Sequence, residues 1–415
     1  MIGEKILNIL LINHYAGSLD YGMEFRPFYF AREWVKMGHK VDIIAADYSH
    51  LRRKNPVVTN DFQIEIIDGI TYHWVKTGSY KGNGFDRAKT MAKFVSKLYL
   101  NANKISGSIN PDVVIASSTY PLDTFPAKKI ANLSNAKLIH EIHDMWPSTL
   151  IEIGGMAKSH PFVKLMQYGE NAFCRHSDIV VSLLPCAKDY LVEHGMDPKS
   201  FRYIPNGIVL DDWKAPKDLP EEHMQLFDKL KKEGKFIVGY FGGHAVSNAL
   251  DLFIEAANNI DDNSIHFVLV GDGVEKTNLI ELANKYQLSN VSFLPPVAKL
   301  SIPNVIDKFD CVYIGGKKHS LYRFGAALNK LYDTMMAGKP IIYGVDAPNN
   351  DVKDFGCGIS VSPGDVDGIM KAITEMKQMD TNELHSMGMK GKNAVLEKYE
   401  YTVLANKFDA IFKEK

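Results

Sequence analysis

The sequence predicts an α/β protein built from two doubly wound, parallel-sheet halves. Short apolar runs recur along the 415-residue chain and read as strands buried on both faces. Glycine-bearing turns follow several runs, and amphipathic segments with helical spacing follow the turns. The strand–turn–helix order starts near Ile6 and starts again at Phe236. Regular alternation of this kind makes a Rossmann-like sheet with helices on both sides.

In the first half, residues 6–12 form the opening strand, and a loop with Gly17 and Gly22 follows. A helix over 25–37 stops at Gly38, a residue suited to a helix C-terminus. Strand 41–45 completes a βαβ opening. Further strands are expected at 64–67, 113–116, 137–141 and 179–182. In the second half, strand 236–241 turns at Gly242-Gly243 into a helix starting near Asn248. Strand 266–270 meets Gly271-Asp272-Gly273 and a helix over 275–286. Strands 291–294 and 311–314 come next, the second closed by Gly315-Gly316. Helix 328–336 ends at Gly338, before strand 341–343. Pro, Asp, Glu and Lys displace the apolar periods between Pro205 and Lys235. The boundary therefore falls there, with residues 1–207 as one domain and 208–399 as the other. Ligands of open α/β sheets gather outside the carboxyl ends of the strands. Two such sheets facing each other would make a deep cleft.

Composition narrows the function. With 46% hydrophobic and 23% charged residues, the chain is of ordinary globular type. A net charge of -1 gives no bulk attraction to nucleic acid, so no such partner is expected and any anion site is a local cluster. Cys174, Cys186, Cys311 and Cys357 form no CxxC pair and read as isolated reduced thiols. The 6–12 run is too short to span a bilayer and lacks a small-residue cleavage site. A cytoplasmic location is expected.

The stretch from Cys311 to Asp333 carries most of the chemistry. It has no acidic residue before Asp333, yet holds Lys317, Lys318, His319, Arg323 and Lys330, with Gly315, Gly316 and Gly325. Glycines let backbone approach a ligand closely. Lys330 falls in the first turn of a helix, where the macrodipole disfavours a cation. A bound phosphate reverses that penalty, so Lys330 is assigned to a diphosphate. The competing reading is a solvated lysine. Lys317 and Lys318 read as ordinary loop lysines. Asp333 lies one turn after Asn329 and suits sugar or ribose hydroxyls, although a helix-surface aspartate fits the spacing nearly as well. Gly242-Gly243-His244 and Gly271-Asp272-Gly273 would flank the same crevice, each a weak signal alone.

In the first half, His143 follows a predicted strand and points away from Ile142. It suits an orienting or proton-handling role, against the commoner structural histidine. Glu141, Asp144 and Glu170 are weaker candidates. Glu24 and Arg26, beside the first glycine loop, are placed on the acceptor side with Gly17, Gly22 and Asp144. Asp365-Val366-Asp367 has the look of a metal-binding DxD, but it precedes a helix and fits an N-cap better. No catalytic metal is expected. Lys89, Lys93 and Lys97 recur every four residues beside an apolar stripe. They read either as a patch for an anionic membrane surface or as the solvated face of a core helix.

Five landmarks occur in order. They are Ala31-Arg32-Glu33-Trp34 through Gly38-His39-Lys40-Val41, His143-Asp144-Met145-Trp146-Pro147, Ile204-Pro205-Asn206-Gly207-Ile208, Val270-Gly271-Asp272-Gly273, and Asn329-Lys330-Leu331 through Ala337-Gly338-Lys339-Pro340. Their order and separation resemble the bacterial family 4 glycosyltransferases, whose fold is GT-B, over essentially the whole chain. The opening Leu11-Ile12-Asn13-His14-Tyr15-Ala16-Gly17 is similar to transferases of O-antigen, capsule and exopolysaccharide assembly, including N-acetyl-L-fucosamine transferases.

The resemblance implies a UDP-sugar donor in the second half, and transfer with retention and without metal or cofactor. It implies an undecaprenyl-diphosphate-linked saccharide as acceptor, and a peripheral place on the inner membrane face. It matches His143 to the family's cleft histidine and Asp333 to the second acid of its E-x7-E pattern. It also implies that helix 400–415 packs back on the first domain. The first acid of the pattern falls on Gly325, and an Arg and a Lys common in relatives fall on Gly243 and Asn248. Lys330, Arg323 and the helix N-terminus are expected to replace them. A UDP-GlcNAc 2-epimerase and a non-catalytic nucleotide-binding module share the two-domain plan and stand as alternatives. A nicotinamide dehydrogenase would need a GxGxxG turn after the first strand, and His14 to Gly22 supplies none.

Overall fold

The computed structural model describes residues 5–82 and 84–414. The chain divides into two compact units, Met1–Pro205 with Tyr401–Lys415, and Asn206–Glu400.

The first unit holds an eight-stranded sheet. Its strands are β1 (Asn8–Ile12), β2 (Lys40–Ala46), β3 (Gln63–Ile67), β4 (Ile70–Val75), β5 (Val113–Ala116), β6 (Lys137–Ile142), β7 (Ile179–Ser182) and β8 (Phe201–Tyr203). They lie in the order β3-β4-β2-β1-β5-β6-β7-β8. Every pairing is parallel except β3 with β4. The four residues of β5 and of β7 are all buried, as a strand covered on both faces requires. The antiparallel edge departs from the parallel expectation. Asp68 and Gly69 both have positive φ, 50° and 79°, which suits a tight hairpin turn. Ile64 and Ile66 on β3 point to solvent, as one side of an edge strand does.

The helix Arg26–Lys36 starts with a proline in its first turn and buries Phe28, Phe30 and Trp34. The helix Tyr401–Lys413 lies against it. Trp34 meets Phe408 and Phe412 edge-on, each at 5.1 Å, and Phe30 meets Phe408 at 5.3 Å. Such ring pairs contribute about 0.5–1.5 kcal/mol each beyond their buried area. His39 Nε2 lies 3.0 Å from Asp409 on the same helix.

The helix Phe85–Leu100 buries Met91, Phe94 and Leu98. Two of its three spaced lysines turn back on the protein. Lys93 donates to the Thr77 carbonyl, and Lys97 donates to Asp61 and to the Lys76 carbonyl. Lys89 and Lys93 are exposed, and Lys97 is half-buried. Among the described residues, no helix is long and apolar enough to cross a membrane.

The second unit holds six parallel strands. These are β9 (Phe236–Phe241), β10 (Ile265–Val270), β11 (Val291–Leu294), β12 (Cys311–Gly315), β13 (Ile341–Gly344) and β14 (Gly358–Ser360). Their order is β11-β10-β9-β12-β13-β14. Alternate residues feed two cores, one on each face. Ile237, Phe241, Val312 and Ile314 belong to one, and Val238, Tyr240, Cys311 and Tyr313 to the other. Each fully buried side chain of this kind stabilises the fold by about 1.5–3 kcal/mol. Asp365 accepts from Gly368 N at 2.8 Å and caps the helix Val366–Gln378. Asp365 therefore serves as the N-cap that its position suggests. Among the described residues, no group of three or more His, Cys, Asp or Glu side chains could hold a metal ion.

Candidate functional site

In the second unit, the turns after β9 and β10 interlock. His244 N donates to the Asp272 carbonyl at 2.8 Å, and Glu275 N donates to the His244 carbonyl at 3.0 Å. A Cβ added at Gly271 would stand 1.9 Å from the Gly242 carbonyl oxygen, and one at Gly273 would stand 2.5 Å from that of His244. Only glycine lets these two backbones approach so closely. His244 is fully buried, and both its ring nitrogens are without hydrogen-bond partners. Burial, aided by the cations Lys276 and Lys330, pushes its pKa down to about 4. The ring is therefore neutral at pH 7.

Lys330 reaches this turn from the helix Asn329–Met336. Its Nζ donates to Tyr240 Oη at 2.8 Å and to Asn248 Oδ1 at 3.1 Å, and stands 4.4 Å from the centre of the Tyr240 ring. Tyr240 and Asn248 in turn donate to the Gly243 carbonyl, at 2.6 and 2.7 Å. These partners are all neutral. Burial lowers the Lys330 pKa to about 8. A desolvated ammonium without a carboxylate, next to the free N–H groups of a helix start, is an arrangement that an anion would complete.

Other predicted donor-side residues are placed differently. Both Asp333 carboxylate oxygens accept from Lys299, at 2.9 and 3.0 Å. Asp333 is thus the buried half of an ion pair with the partly exposed Lys299 rather than a free surface acid. Arg323 is exposed, donates to the Ser320 carbonyl, and lies 4.2 Å from the centre of the Phe324 ring. It braces its own 3-10 turn, Ser320–Phe324. Gly325, at φ 106°, closes that turn. Gly315 is needed for space, since a Cβ there would stand 2.1 Å from Tyr313 Oη. Asn329 is exposed at the helix start. Lys317 pairs with Asp251 at 3.1 Å, in keeping with an ordinary loop lysine.

In the first unit, polar groups gather at the carboxyl ends of β1, β5 and β6. His143 Nε2 lies 2.9 Å from Ser117 Oγ and 3.0 Å from Glu141 Oε2. Ser117 Oγ donates to the same Glu141 oxygen at 2.7 Å. Arg26 Nε donates to Glu141 Oε1 at 3.0 Å, and its other nitrogens donate to the Ile204 and Pro205 carbonyls. Burial would raise the Glu141 pKa, but the Arg26 charge and the hydrogen bonds from His143 and Ser117 outweigh burial and hold it well below the carboxylate range.

This geometry corrects the expectation for Arg26 and gives the other acceptor-side candidates structural partners. Arg26 is 2% exposed and lines no acceptor surface; it neutralises Glu141 from within. Asp144 accepts from Met145 N, Trp146 Nε1 and Thr149 Oγ1, so it organises the start of the helix Ser148–Glu152. Glu24 acts through its backbone, accepting from Gly17 N at 2.8 Å. Gly17 and Gly22 pack together, and a Cβ at Gly17 would fall 1.8 Å from the Gly22 carbonyl oxygen. Glu170 is buried and accepts from Tyr190 Oη and Gln167 Nε2.

Comparison with known proteins decides the family. Residues 22–212 match the family model described as Glycosyltransferase Family 4, and residues 235–378 match that described as Glycosyl transferases group 1. The chain belongs to glycosyltransferase family 4. This family 4 chain is 23% identical, over 191 residues, to the putative colanic acid biosynthesis glycosyl transferase WcaI of Escherichia coli strain K12. That match covers 46% of the chain and spans about half of the relative, 47%. Anabaena HepE in complex with UDP and glucose is 14% identical, with a TM-score of 0.68 over 99% of this chain and 100% of that one. Sucrose-phosphate synthase from Thermosynechococcus elongatus is 15% identical, with a TM-score of 0.74 over 98% of each. These neighbours establish the fold as GT-B.

Sequence reasoning missed several groups that touch the candidate site residues. Tyr240, Ser117, Asn13 and Lys299 all touch predicted site residues or their partners. Ser117-Ser118 was the readable signal, since two hydroxyls directly follow the apolar run of β5. Nothing near Lys299 in sequence marks its pairing with Asp333.

Proposed function

We propose that the protein transfers a glycosyl group from a UDP-sugar to a saccharide acceptor. The observation that carries the reading is Lys330, a desolvated cation among neutral partners at the carboxyl end of β9. A diphosphate would supply the missing countercharge. Lys330, the start of its helix and the glycine turns at 242–243 and 271–273 would cradle the two phosphates, with His244 and Asn329 beside them. Asp333, held by Lys299, would orient ribose or sugar hydroxyls through the same ion pair.

The carbon–oxygen bond to the β-phosphate breaks as the acceptor oxygen bonds the anomeric carbon. The acceptor hydroxyl proton passes to the departing diphosphate. Negative charge grows on that phosphate, and a positioned ammonium lowers the barrier by stabilising it. Attack on the same face gives retention and needs no metal. His143 would hold a sugar hydroxyl during transfer. The resemblance to transferases of surface polysaccharide assembly favours a lipid-linked saccharide acceptor at the inner membrane face and an N-acetylated amino sugar such as N-acetyl-L-fucosamine as donor.

The test is UDP release from a panel of UDP-sugars with saccharide acceptors, with and without EDTA, followed by NMR of the product anomer. Turnover that survives EDTA and retains configuration supports the reading. A protein that neither binds nor turns over any UDP-sugar would overturn it. Conversion of the donor without acceptor would instead mark an epimerase.

A further inference from the structure

We infer that Glu141 is a positioning residue that fixes the hydrogen of the His143 ring on Nε2, leaving Nδ1 as the ring atom that meets substrate. The inference rests on the transfer reading only for the identity of that substrate. The hydrogen placement stands on geometry.

His143 follows β6, and its side chain keeps 11% exposure while that of Glu141 keeps 2%. Its Nε2 faces two oxygens, Glu141 Oε2 at 3.0 Å and Ser117 Oγ at 2.9 Å. Glu141 is ionised, because Arg26 contacts Oε1 through Nε at 3.0 Å and Nη2 at 2.9 Å. An ionised carboxylate accepts and never donates. Ser117 has a single hydroxyl hydrogen, and its 2.7 Å contact with Glu141 Oε2 commits that hydrogen to the carboxylate. Ser117 therefore offers His143 only lone pairs. Asn13 Nδ2 supplies a further donor to the same hydroxyl oxygen at 3.3 Å, which reinforces this polarity. With two acceptors in front of it, Nε2 must carry a hydrogen. In the neutral ring the lone pair then sits on Nδ1.

The other titratable neighbours do not disturb this assignment. His140, on β6, is neutral, because burial presses its pKa down to about 3. Asp123 sits in the 3-10 turn Pro121–Asp123, and its Oδ2 accepts from Ser118 N at 2.8 Å. Arg26 is spent on Glu141 and the two carbonyls. The chain Arg26–Glu141–His143 thus does for this ring what an outer carboxylate does for a catalytic or metal-bound histidine: it sets tautomer and orientation together. In that neutral form the ring takes a substrate group that gives a hydrogen to Nδ1, such as a sugar hydroxyl.

The tautomer is read directly by NMR of the full chain labelled with ¹⁵N-histidine, with His143→Asn identifying the signal. The Nε2–H pattern is expected, and an Nδ1–H pattern would overturn the inference whatever the enzyme's activity. Kinetics supply the second reading. Glu141→Gln can present an amide N–H to the ring, and kcat is expected to fall roughly tenfold or more with donor KM held within about threefold. Ser117→Ala keeps the Arg26 ion pair and serves if Glu141→Gln does not fold; its kcat is expected to fall by a smaller factor. Asn places an amide near the Nδ1 position and Gln near Nε2, so His143→Asn is expected to keep more activity than His143→Gln. The reverse order, or an unchanged kcat in both the Glu141 and Ser117 variants, would overturn the role. A wild-type chain without turnover would defeat the transfer reading, while the NMR result would still decide the tautomer.

Discussion

The Lys330 ammonium stands 4.4 Å from the centre of the Tyr240 ring and 2.8 Å from its hydroxyl oxygen. A cation near an aromatic ring and desolvated is stabilised without any formal countercharge. The ammonium is thereby held at the turn after β9, with its charge unspent.

Replacing Lys330 with Ala is expected to cut turnover at saturating donor at least tenfold, about 1.4 kcal/mol of barrier. The fold should survive, since the partners released are a tyrosine hydroxyl and an asparagine amide. UDP release together with a melting curve checks this. Full turnover in a folded variant would remove Lys330 from the chemistry.

Donor binding should depend on pH through the same residue. Burial brings Lys330 down to about 8, so in the free protein the ammonium is present below pH 8 and lost above it. A bound diphosphate favours the charged form and raises the pKa, so binding takes up protons near pH 8 and weakens as pH rises through that value. Calorimetry in buffers of different ionisation enthalpy measures the uptake. Lys330→Ala should flatten the profile, and a wild-type profile already flat from pH 7 to 9 would contradict the assignment.

Glu170→Gln should stabilise the fold at alkaline pH. Burial raises the Glu170 pKa to about 7, above its unfolded value. The folded state then binds more protons than the unfolded chain, so stability falls as pH climbs from the unfolded pKa through about 7. The amide keeps an acceptor for Tyr190 and carries no charge. A gain on the order of 2 kcal/mol is expected at pH 8 and little difference near pH 4. Melting curves at the two pH values decide, and equal gains at both would show that ionisation is not the cause.

Gly271→Ala is expected to destabilise the second unit by about 1–3 kcal/mol and to weaken donor binding. The added carbon meets the Gly242 carbonyl oxygen at 1.9 Å, and a backbone atom cannot swing aside as a side chain does. Gly243→Ala is the control, because a Cβ there meets nothing within 4 Å. Its melting temperature should stay close to wild type. Similar melting for both variants would show that the two turns have slack.

The central strands were legible because burial on both faces writes a continuous apolar run. Strands β5, β7 and β9 fall on the residues expected for them, as does the edge strand β11. The missed strands were β4, β8 and β14. Strand β4 carries Thr71 and His73 among its apolar residues, and the other two have three residues each, too few to show a period. Lys330 stands out in the sequence because its misfit with the helix dipole is local. Arg26 was not, because its partner Glu141 is 115 positions away and a helix-start arginine looks the same whether it points in or out. Asp333 and Lys299 are 34 positions apart and hide each other in the same way. Asp144 is the opposite case, since its hydrogen-bond partners Met145, Trp146 and Thr149 are all within five positions of it.

The ring ladder of Trp34, Phe30, Phe408 and Phe412 makes the first unit discontinuous in time as well as in sequence. A ribosome releases residues 26–36 early, but their aromatic cover only after all of residues 206–400. Throughout that interval the nascent first unit shows a greasy stripe to the cytosol or to a chaperone. Chains terminated prematurely before Tyr401 would never cover it, which makes them natural clients for degradation.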